Sequence, residues 1–439
     1  MRKPAPPRLR SGLAATTVLA LVLAVAPAAD AAARHRTQPH PGSLVLVGGG
    51  LKDDNTRIYR EIIDRAGASD ARIGVLTAAS VPESQDPDAA DPATCSNSVC
   101  NGAYYASLFK KHGALDAQWI PVDLDHIANA DSDAVVAQIN SMTGFFFGGG
   151  DQYRYVTTLL HGERHTDSKV LAAIRAKLAQ GAVVAGTSAG AQIASGPDMV
   201  TGGDSYTALR DGSAPGYFED PSTAGYLPEG GFAFLRSGLI DTHTGAEGRE
   251  GRALRLAADT GHTRVYTLEE NTALVVDDPG TGHEDLTVLG ANGVGIFDLR
   301  HVHTRRQPAG WSLTDATYTY LTDGDRYDAR DWQALPARDK DLLLPQTDTP
   351  VPANHDVFYS TANPTGVPYS FRTTARALAA TRDPRQATAT TYETGPRFTV
   401  TFAKDRRFSA YSQDDSRTPQ TLIGMRISIT PCWRRPAGP

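Results

Sequence analysis

Residues 181–196 read GAVVAGTSAGAQIASG, an apolar run followed at once by glycines and small polar residues. The run 182–185 is typical of a buried strand, and the residues after Ser188 are typical of a helix. Residues 186–190 match Gly-x-Ser-x-Gly, a pattern in which serine occupies a sharp strand-to-helix turn with its hydroxyl exposed. The stretch predicts a strand–turn–helix unit in which Ser188 is either a nucleophile or only a hydroxyl in a glycine turn.

Strands and helices alternate through residues 43–195 around this unit. The strand segments, such as SLVLV, RIGVL and GFFF, are apolar throughout, which indicates a mainly parallel sheet with helices on both faces. Sites in such sheets form at the carboxyl ends of strands, where VGGG, FGGGDQ and AGTSAG all stand. We predict an α/β domain over 43–328. The Thr-, Ala-, Arg- and Pro-rich residues 329–439 predict a separate C-terminal region, β-rich or partly disordered.

The first residues have the pattern of a secretory signal peptide. A basic segment, MRKPAPPRLR, precedes an apolar segment and the small residues ADAAA. We expect cleavage near Ala33, a linker over 34–42 and a secreted chain without a membrane segment; an uncleaved anchor is the alternative. Export would bring Cys95 and Cys100 into an oxidising compartment, where their spacing suits a short disulfide. Cys432 is then left over.

Charge and motif content argue against several function classes. The net charge is −6 and no basic stripe is present, so nothing indicates a nucleic-acid partner. VGGGLKDD and FGGGDQYR both fall short of the full dinucleotide-binding pattern. The cysteines lack the neighbouring histidines or cysteines of a metal site. We therefore expect neither a cofactor nor a metal.

A nucleophilic serine needs a base to take its proton and donors for the oxyanion. Among the histidines, His243 stands out because it follows an apolar dipeptide within GLIDTHTGAEGREGR, residues 238–252. Asp241 lies beside it, and Arg249 and Arg252 follow. An exposed loop histidine is the alternative interpretation.

Taken together, these motifs resemble the cyanophycinase and peptidase E family of serine exopeptidases over roughly residues 43–328. The segments that carry the resemblance, in order, are VLVGGG, ARIGVLTAAS, FFFGGGDQ, AGTSAGAQIAS, IDTHTGAEGREGR and LEENTALVV. The resemblance implies a flavodoxin-like or class I glutamine-amidotransferase-like sheet and a catalytic triad of Ser188, His243 and Glu270. It also implies an oxyanion hole formed by the amides of Gly150 and Ala189, and a possible homodimer.

The resemblance further implies an aspartyl substrate. Cyanophycinases release β-Asp-Arg from an arginine-bearing poly-aspartate, and peptidase E cuts after an N-terminal aspartate. Gln152, Arg249 and Arg252 are expected to contact substrate, because guanidinium groups bind carboxylates in a fork. Asp241 could pair a substrate guanidinium or anchor its loop.

Two positions depart from the family's usual pattern. Thr242 stands where glutamine is usual, and Glu247 stands where arginine is usual, which reverses a charge near the pocket. Three alternatives therefore stay open: an aspartyl or β-aspartyl dipeptidase, a peptidase on another acidic polymer, and a non-catalytic binding protein. For residues 330–439, attachment to the polymer or to a cell wall is a hypothesis.

Overall fold

The computed structural model describes residues 42–432, apart from 219, 308–309, 384 and 414–417. The predicted signal peptide and all but the last residue of the predicted linker lie outside the described residues. The described chain contains two large sheets, one of nine strands and one of ten.

The nine-stranded sheet has the parallel centre that the sequence predicted. Its middle strand, Val183–Thr187, lies between Ser43–Val47 and Gly144–Phe147 and is parallel to both. All residues of these three strands are buried, which accounts for their apolar sequences. The other parallel strands are Arg72–Leu76 and Asp116–Trp119. The antiparallel strands are Thr272–Asp277, Asp285–Gly290, Arg326–Asp328 and Gln333–Leu335.

Helices cover both faces of this sheet, so the predicted α/β class is confirmed. The helices Thr56–Arg65 and Ser98–Lys111 share a hydrophobic core with one face. Asp133–Ser141, Gln152–Leu159 and Lys169–Ala179 pack on the other face, together with the second sheet. The remaining helices are Ala189–Gln192, Ser205–Asp211, Thr244–Glu247, Glu250–Thr260 and Ser370–Ala380. None of the described helices has both the length and the apolarity needed to cross a bilayer.

The ten-stranded sheet corrects the prediction of a separate C-terminal region. Gly310–Thr322 pairs with Gly293–Asp298 on one side and with Thr421–Cys432 on the other, so strands before and after position 329 share one sheet. The region is β-rich, as predicted, but not separate. In its strands, buried residues alternate in sequence with more exposed ones. In Arg397–Ala403, for example, buried and half-buried positions alternate. The other strands of this sheet are Leu239–Asp241, Arg264–Leu268, His303–Gln307, Lys340–Leu342, Gln386–Thr390 and Ser409–Gln413.

Shorter elements complete the described chain. Leu160–His161 pairs with Thr166–Asp167, and Met199–Val200, Ser213–Pro215 and Ala224–Leu227 form a three-stranded sheet. Three short 3-10 helices span Ala68–Asp70, Glu83–Gln85 and Ile127–Asp131. Cys95 and Cys100 form the disulfide that their spacing predicted, and Cys432 is exposed and free.

Candidate active site

Ser188 stands in a strained turn at the carboxyl end of the middle parallel strand. Its backbone has φ 54° and ψ −118°, a conformation that costs a non-glycine residue about 1–3 kcal/mol. A Cβ on Gly186 would lie 2.1 Å from the Gly190 carbonyl oxygen, and one on Gly190 would lie 2.0 Å from that of Phe147. The Ser188 side chain makes no capping bond to the following helix. The glycines are therefore required by close backbone packing, and the serine is not a helix cap.

His243 and Glu270 complete a hydrogen-bonded line with Ser188. His243 follows the strand Leu239–Asp241, and its Nε2 lies 2.8 Å from Ser188 Oγ. Glu270 follows the strand Arg264–Leu268, and its Oε1 lies 2.7 Å from His243 Nδ1. The structure thus brings together the three side chains that the resemblance implied. In this geometry a carboxylate orients an imidazole, and the imidazole faces a hydroxyl.

The glycine run 48–50 packs against His243 and Glu270, a role that the sequence analysis did not predict. The Gly48 carbonyl oxygen accepts the His243 amide at 2.7 Å. Gly49 has φ 101°, and a Cβ there would lie 2.1 Å from His243 Cε1. A Cβ on Gly50 would lie 2.9 Å from Glu270 Oε2. Three consecutive glycines at the end of a buried strand were the available signal, because they leave room for other side chains.

A cavity of about 360 Å³ opens beside Ser188, and both expected oxyanion residues, Gly150 and Ala189, line it. Gly150 has φ 134°, and a Cβ there would lie 2.2 Å from the Ala79 carbonyl oxygen, so the turn requires glycine. Gln152 also lines the cavity, but its Nε2 donates to the Val200 carbonyl oxygen at 2.8 Å. The backbone thus holds the Gln152 side chain in place.

Asp241 does not reach the cavity, which removes its predicted contact with substrate. It is fully buried, and both its oxygens accept from Arg252, at 2.8 Å from Nε and 2.7 Å from Nη2. Arg252 Nη1 donates to the Gly203 carbonyl oxygen at 2.7 Å. Of the two predicted roles, the structure supports the loop anchor. Arg252 lines the cavity, but its guanidinium is already paired with Asp241.

Glu247 pairs with Arg249 at the cavity wall. Arg249 also donates to the Thr242 carbonyl oxygen at 3.1 Å. Burial lowers the pKa of Arg249 to about 10, with the nearby Arg252 charge adding to the effect, so the guanidinium stays cationic at neutral pH. Glu247 is half exposed, and its Oε1 lies 3.7 Å from His243 Nδ1. Both arginines that line the cavity, Arg249 and Arg252, are therefore paired with carboxylates and are not free cations.

A larger cleft of about 780 Å³ extends from this wall. Residues of the C-terminal region, Tyr359 and Thr361, line it together with Arg249. Tyr217 and Phe218 line it from the loop after the strand Ser213–Pro215. The sequence offered no motif for these contributions from distant segments.

His243, Glu247 and Glu270 could also hold a metal ion. Each offers one ligand atom, and these atoms all lie within 4.8 Å of one another. To bind a metal, a histidine must be unprotonated at the ligating nitrogen and a glutamate must be ionised. Since Glu270 already engages His243 Nδ1, a metal there would compete with the hydrogen bond that orients the imidazole.

The chain is similar in sequence to a peptidase family and to cyanophycinases. The profile of peptidase family S51 matches residues 44–282, more than half of the chain. A cyanophycinase of Nostoc sp. is 28% identical over 310 residues, which cover 69% of this chain and 91% of the relative. A cyanophycinase of Synechococcus elongatus is 25% identical over 307 residues, covering 68% and 83%. The crystal structure of a peptidase from an acI-B1 Actinobacterium aligns with a TM-score of 0.43 and 17% identity, over 66% of this chain and 98% of that chain.

Proposed function

The chain belongs to peptidase family S51, and from this premise we propose that it hydrolyses cyanophycin, an arginine-bearing poly-aspartate, to β-Asp-Arg dipeptides. The observation that carries the proposal is the hydrogen-bonded line from Ser188 through His243 to Glu270, of which Ser188 and His243 line a cavity. The relatives named cyanophycinase support the choice of substrate.

The proposed reaction passes through an acyl-enzyme. Ser188 Oγ attacks the scissile carbonyl carbon while His243 Nε2 accepts the hydroxyl proton, and Glu270 accepts the Nδ1 proton in a hydrogen bond. The amides of Gly150 and Ala189 donate to the oxyanion. The proton on Nε2 then passes to the leaving amine as the C–N bond breaks. A water molecule, deprotonated by His243, hydrolyses the ester and restores the serine.

The charges in the cavity favour a substrate that carries both signs. The Arg252–Asp241 pair is closed and almost wholly buried, whereas the Glu247–Arg249 pair faces the cavity and is partly exposed. An aspartyl carboxylate can bind Arg249, and a guanidinium can bind Glu247. Cyanophycin carries both groups, while a plain acidic polymer would meet a repelling carboxylate at Glu247. This arrangement supports cyanophycin over another acidic polymer.

The test is product analysis on insoluble cyanophycin, with Asp-X dipeptides in parallel. We expect β-Asp-Arg as the soluble product, and loss of its release on the order of 10³-fold or more in Ser188→Ala. Ser195→Ala is the matched control: this serine is buried nearby and its hydroxyl has no partner among the described residues, so activity should persist. Cleavage of dipeptides with cyanophycin left intact would make the protein a dipeptidase. Binding without hydrolysis or serine labelling would make it a binding protein.

We also propose that the protein is secreted. The N-terminal sequence pattern supports export, and so does the Cys95–Cys100 disulfide, because such bonds persist in oxidising compartments. Protein recovered from the culture medium should begin near residue 34 by N-terminal sequencing. Recovery only of the intact chain, in the membrane fraction, would contradict the proposal.

A further inference from the structure

One helix of the C-terminal region, Ser370–Ala380, lies beside both loops that carry the base and acid of the proposed triad. The family match ends at residue 282, so nothing in that match assigns a role to this helix. Its first turn and the residue before it contact the loop after His243. The same turn contacts the loop that holds Glu270.

The loop after His243 is shaped to accept the C-terminal region. The Tyr369 amide donates to the Gly245 carbonyl oxygen at 2.6 Å, and a Cβ on Gly245 would lie 2.3 Å from the Tyr369 ring. A Cβ on Gly248, which has φ 61°, would lie 1.7 Å from the Phe358 carbonyl oxygen. Both glycines are therefore required by contacts with residues more than 100 positions away in the chain.

The loop that carries the acid is held by Arg372. Its guanidinium pairs with Glu269, the residue before Glu270, and it donates to Tyr320 Oη at 2.6 Å. Tyr320 in turn donates to Glu269 Oε2 at 2.6 Å. Glu269 is buried, and its burial raises its pKa while the Arg372 charge opposes that rise. Arg372 is thus the counter-charge that lets a buried carboxylate remain beside Glu270.

A second set of contacts leads from Arg372 to Glu270 itself. Arg372 Nη1 donates to Asn292 Oδ1 at 3.3 Å. Asn292 Nδ2 donates to the Glu270 carbonyl oxygen at 2.9 Å, and Thr272 Oγ1 donates to the same oxygen at 3.2 Å. Arg372 therefore fixes the backbone of Glu270 on both sides, through Glu269 and through Asn292.

We propose that Arg372 is a positioning residue for Glu270, and that the helix Ser370–Ala380 with Tyr369 holds the His243 and Glu270 loops in the alignment that their hydrogen bonds require. Arg372 touches no reacting atom and acts through Glu269 and Asn292. The inference rests on the proposed serine chemistry of Ser188 but not on the identity of the substrate. It gives the C-terminal region a part in the active site, and the attachment role considered from sequence stays a separate hypothesis.

The experiment measures covalent labelling of Ser188 by a fluorophosphonate probe, together with kcat, KM and thermal unfolding, in the full chain. Misplacing catalytic groups by about 1 Å costs on the order of 10²-fold, so Arg372→Met should slow labelling and lower kcat by about 10- to 100-fold with KM little changed. Arg382→Met is the matched control, since Arg382 pairs with Asp348 at the exposed surface of the same region. It should label at the unsubstituted rate. Equal labelling in Arg372→Met and the control would overturn the proposal.

Two further variants separate alignment from folding. Glu269→Gln combined with Arg372→Met removes both buried charges. We expect the double variant to recover thermal stability while its Ser188 is still labelled slowly. If thermal stability and the labelling rate both recovered, Arg372 would have only a structural role and the proposal would be refuted. If Arg372→Met does not fold, Arg372→Lys keeps the charge, but its ammonium ends one bond short of the Nη1 atom that makes all three contacts in Arg372, and it should label at an intermediate rate. Absence of labelling in the unsubstituted protein would instead refute the proposed function.

Discussion

Replacing Gly49 with alanine tests whether the glycine run 48–50 leaves the space that the His243 imidazole needs. The added Cβ would lie 2.1 Å from His243 Cε1 and 2.2 Å from Nε2, whereas ordinary contact begins at 3.4 Å. The imidazole must therefore move by about 1.3 Å, which is enough to break its 2.8 Å bond to Ser188 Oγ. Since a shift of about 1 Å can cost on the order of 10²-fold, we expect Gly49→Ala to lower kcat by about 100-fold or more.

The backbone cost of this change needs its own control. Gly49 has φ 101° and Gly113 has φ 110°, but a Cβ on Gly113 would meet nothing within 4 Å. Gly113→Ala should therefore show the backbone cost alone, about 1 kcal/mol of stability, with unchanged activity. The assay is fluorophosphonate labelling and peptide hydrolysis at a temperature where both variants are folded by circular dichroism. Labelling of Gly49→Ala at the unsubstituted rate would refute the reasoning, and so would an equal loss of activity in Gly113→Ala.

Three further predictions concern carboxylates. Glu270→Gln removes the negative charge that orients His243 Nδ1–H and offers an amide donor that favours the wrong imidazole tautomer, so kcat should fall on the order of 10³- to 10⁴-fold with unchanged melting temperature; a loss below about tenfold would remove Glu270 from the triad. Glu247→Gln frees Arg249, so KM for Asp-X dipeptides, which lack a guanidinium, should fall several-fold at unchanged kcat. A rise in that KM would contradict the assigned pairing. Burial raises the pKa of Glu250 from 4.5 to about 8. As pH rises, the unfolded chain therefore loses this proton before the folded chain does. The contribution of Glu250 to the free energy of unfolding thus decreases between about pH 4.5 and pH 8. In urea unfolding, the free energy of unfolding of Glu250→Gln minus that of the unsubstituted protein should be a few kcal/mol larger at about pH 8 than at about pH 4.5. An identical pH dependence in the two proteins would show that Glu250 is not the group responsible.

The serine turn was predictable because local sequence constrains it. Gly186 and Gly190 flank Ser188 at a spacing that only a strained turn explains, and the turn follows a strand whose residues are all apolar. His243 and Glu270 were predictable only through the order of motifs in a known family. No distance along the chain indicates that Glu270, 27 residues after His243, should bond to its Nδ1.

The remaining features depend on contacts between distant segments. Arg372 and Glu269 are separated by 103 positions, and nothing near Arg372 distinguishes it from the surface arginines of the same region. Asp241 was expected either to pair a substrate guanidinium or to anchor its loop, and only its contacts with Arg252, 11 positions later, decide for the anchor. The region 329–439 was predicted to be β-rich, but no signal in the sequence indicates that its strand Thr421–Cys432 pairs with Gly310–Thr322, so its place in the larger sheet was missed.

The shared ten-stranded sheet decides where the chain can be cut for expression in a host. A shortened chain ending near residue 328, or at 282 where the family match stops, would remove Thr421–Cys432 and leave Gly310–Thr322 with an unpaired edge or remove it too. In the fragment ending near residue 328, Phe297 and Tyr318, which pack against Phe371, would then face water. Exposed hydrophobic strand edges pair with other chains, so such fragments should accumulate as insoluble aggregates rather than as a smaller enzyme.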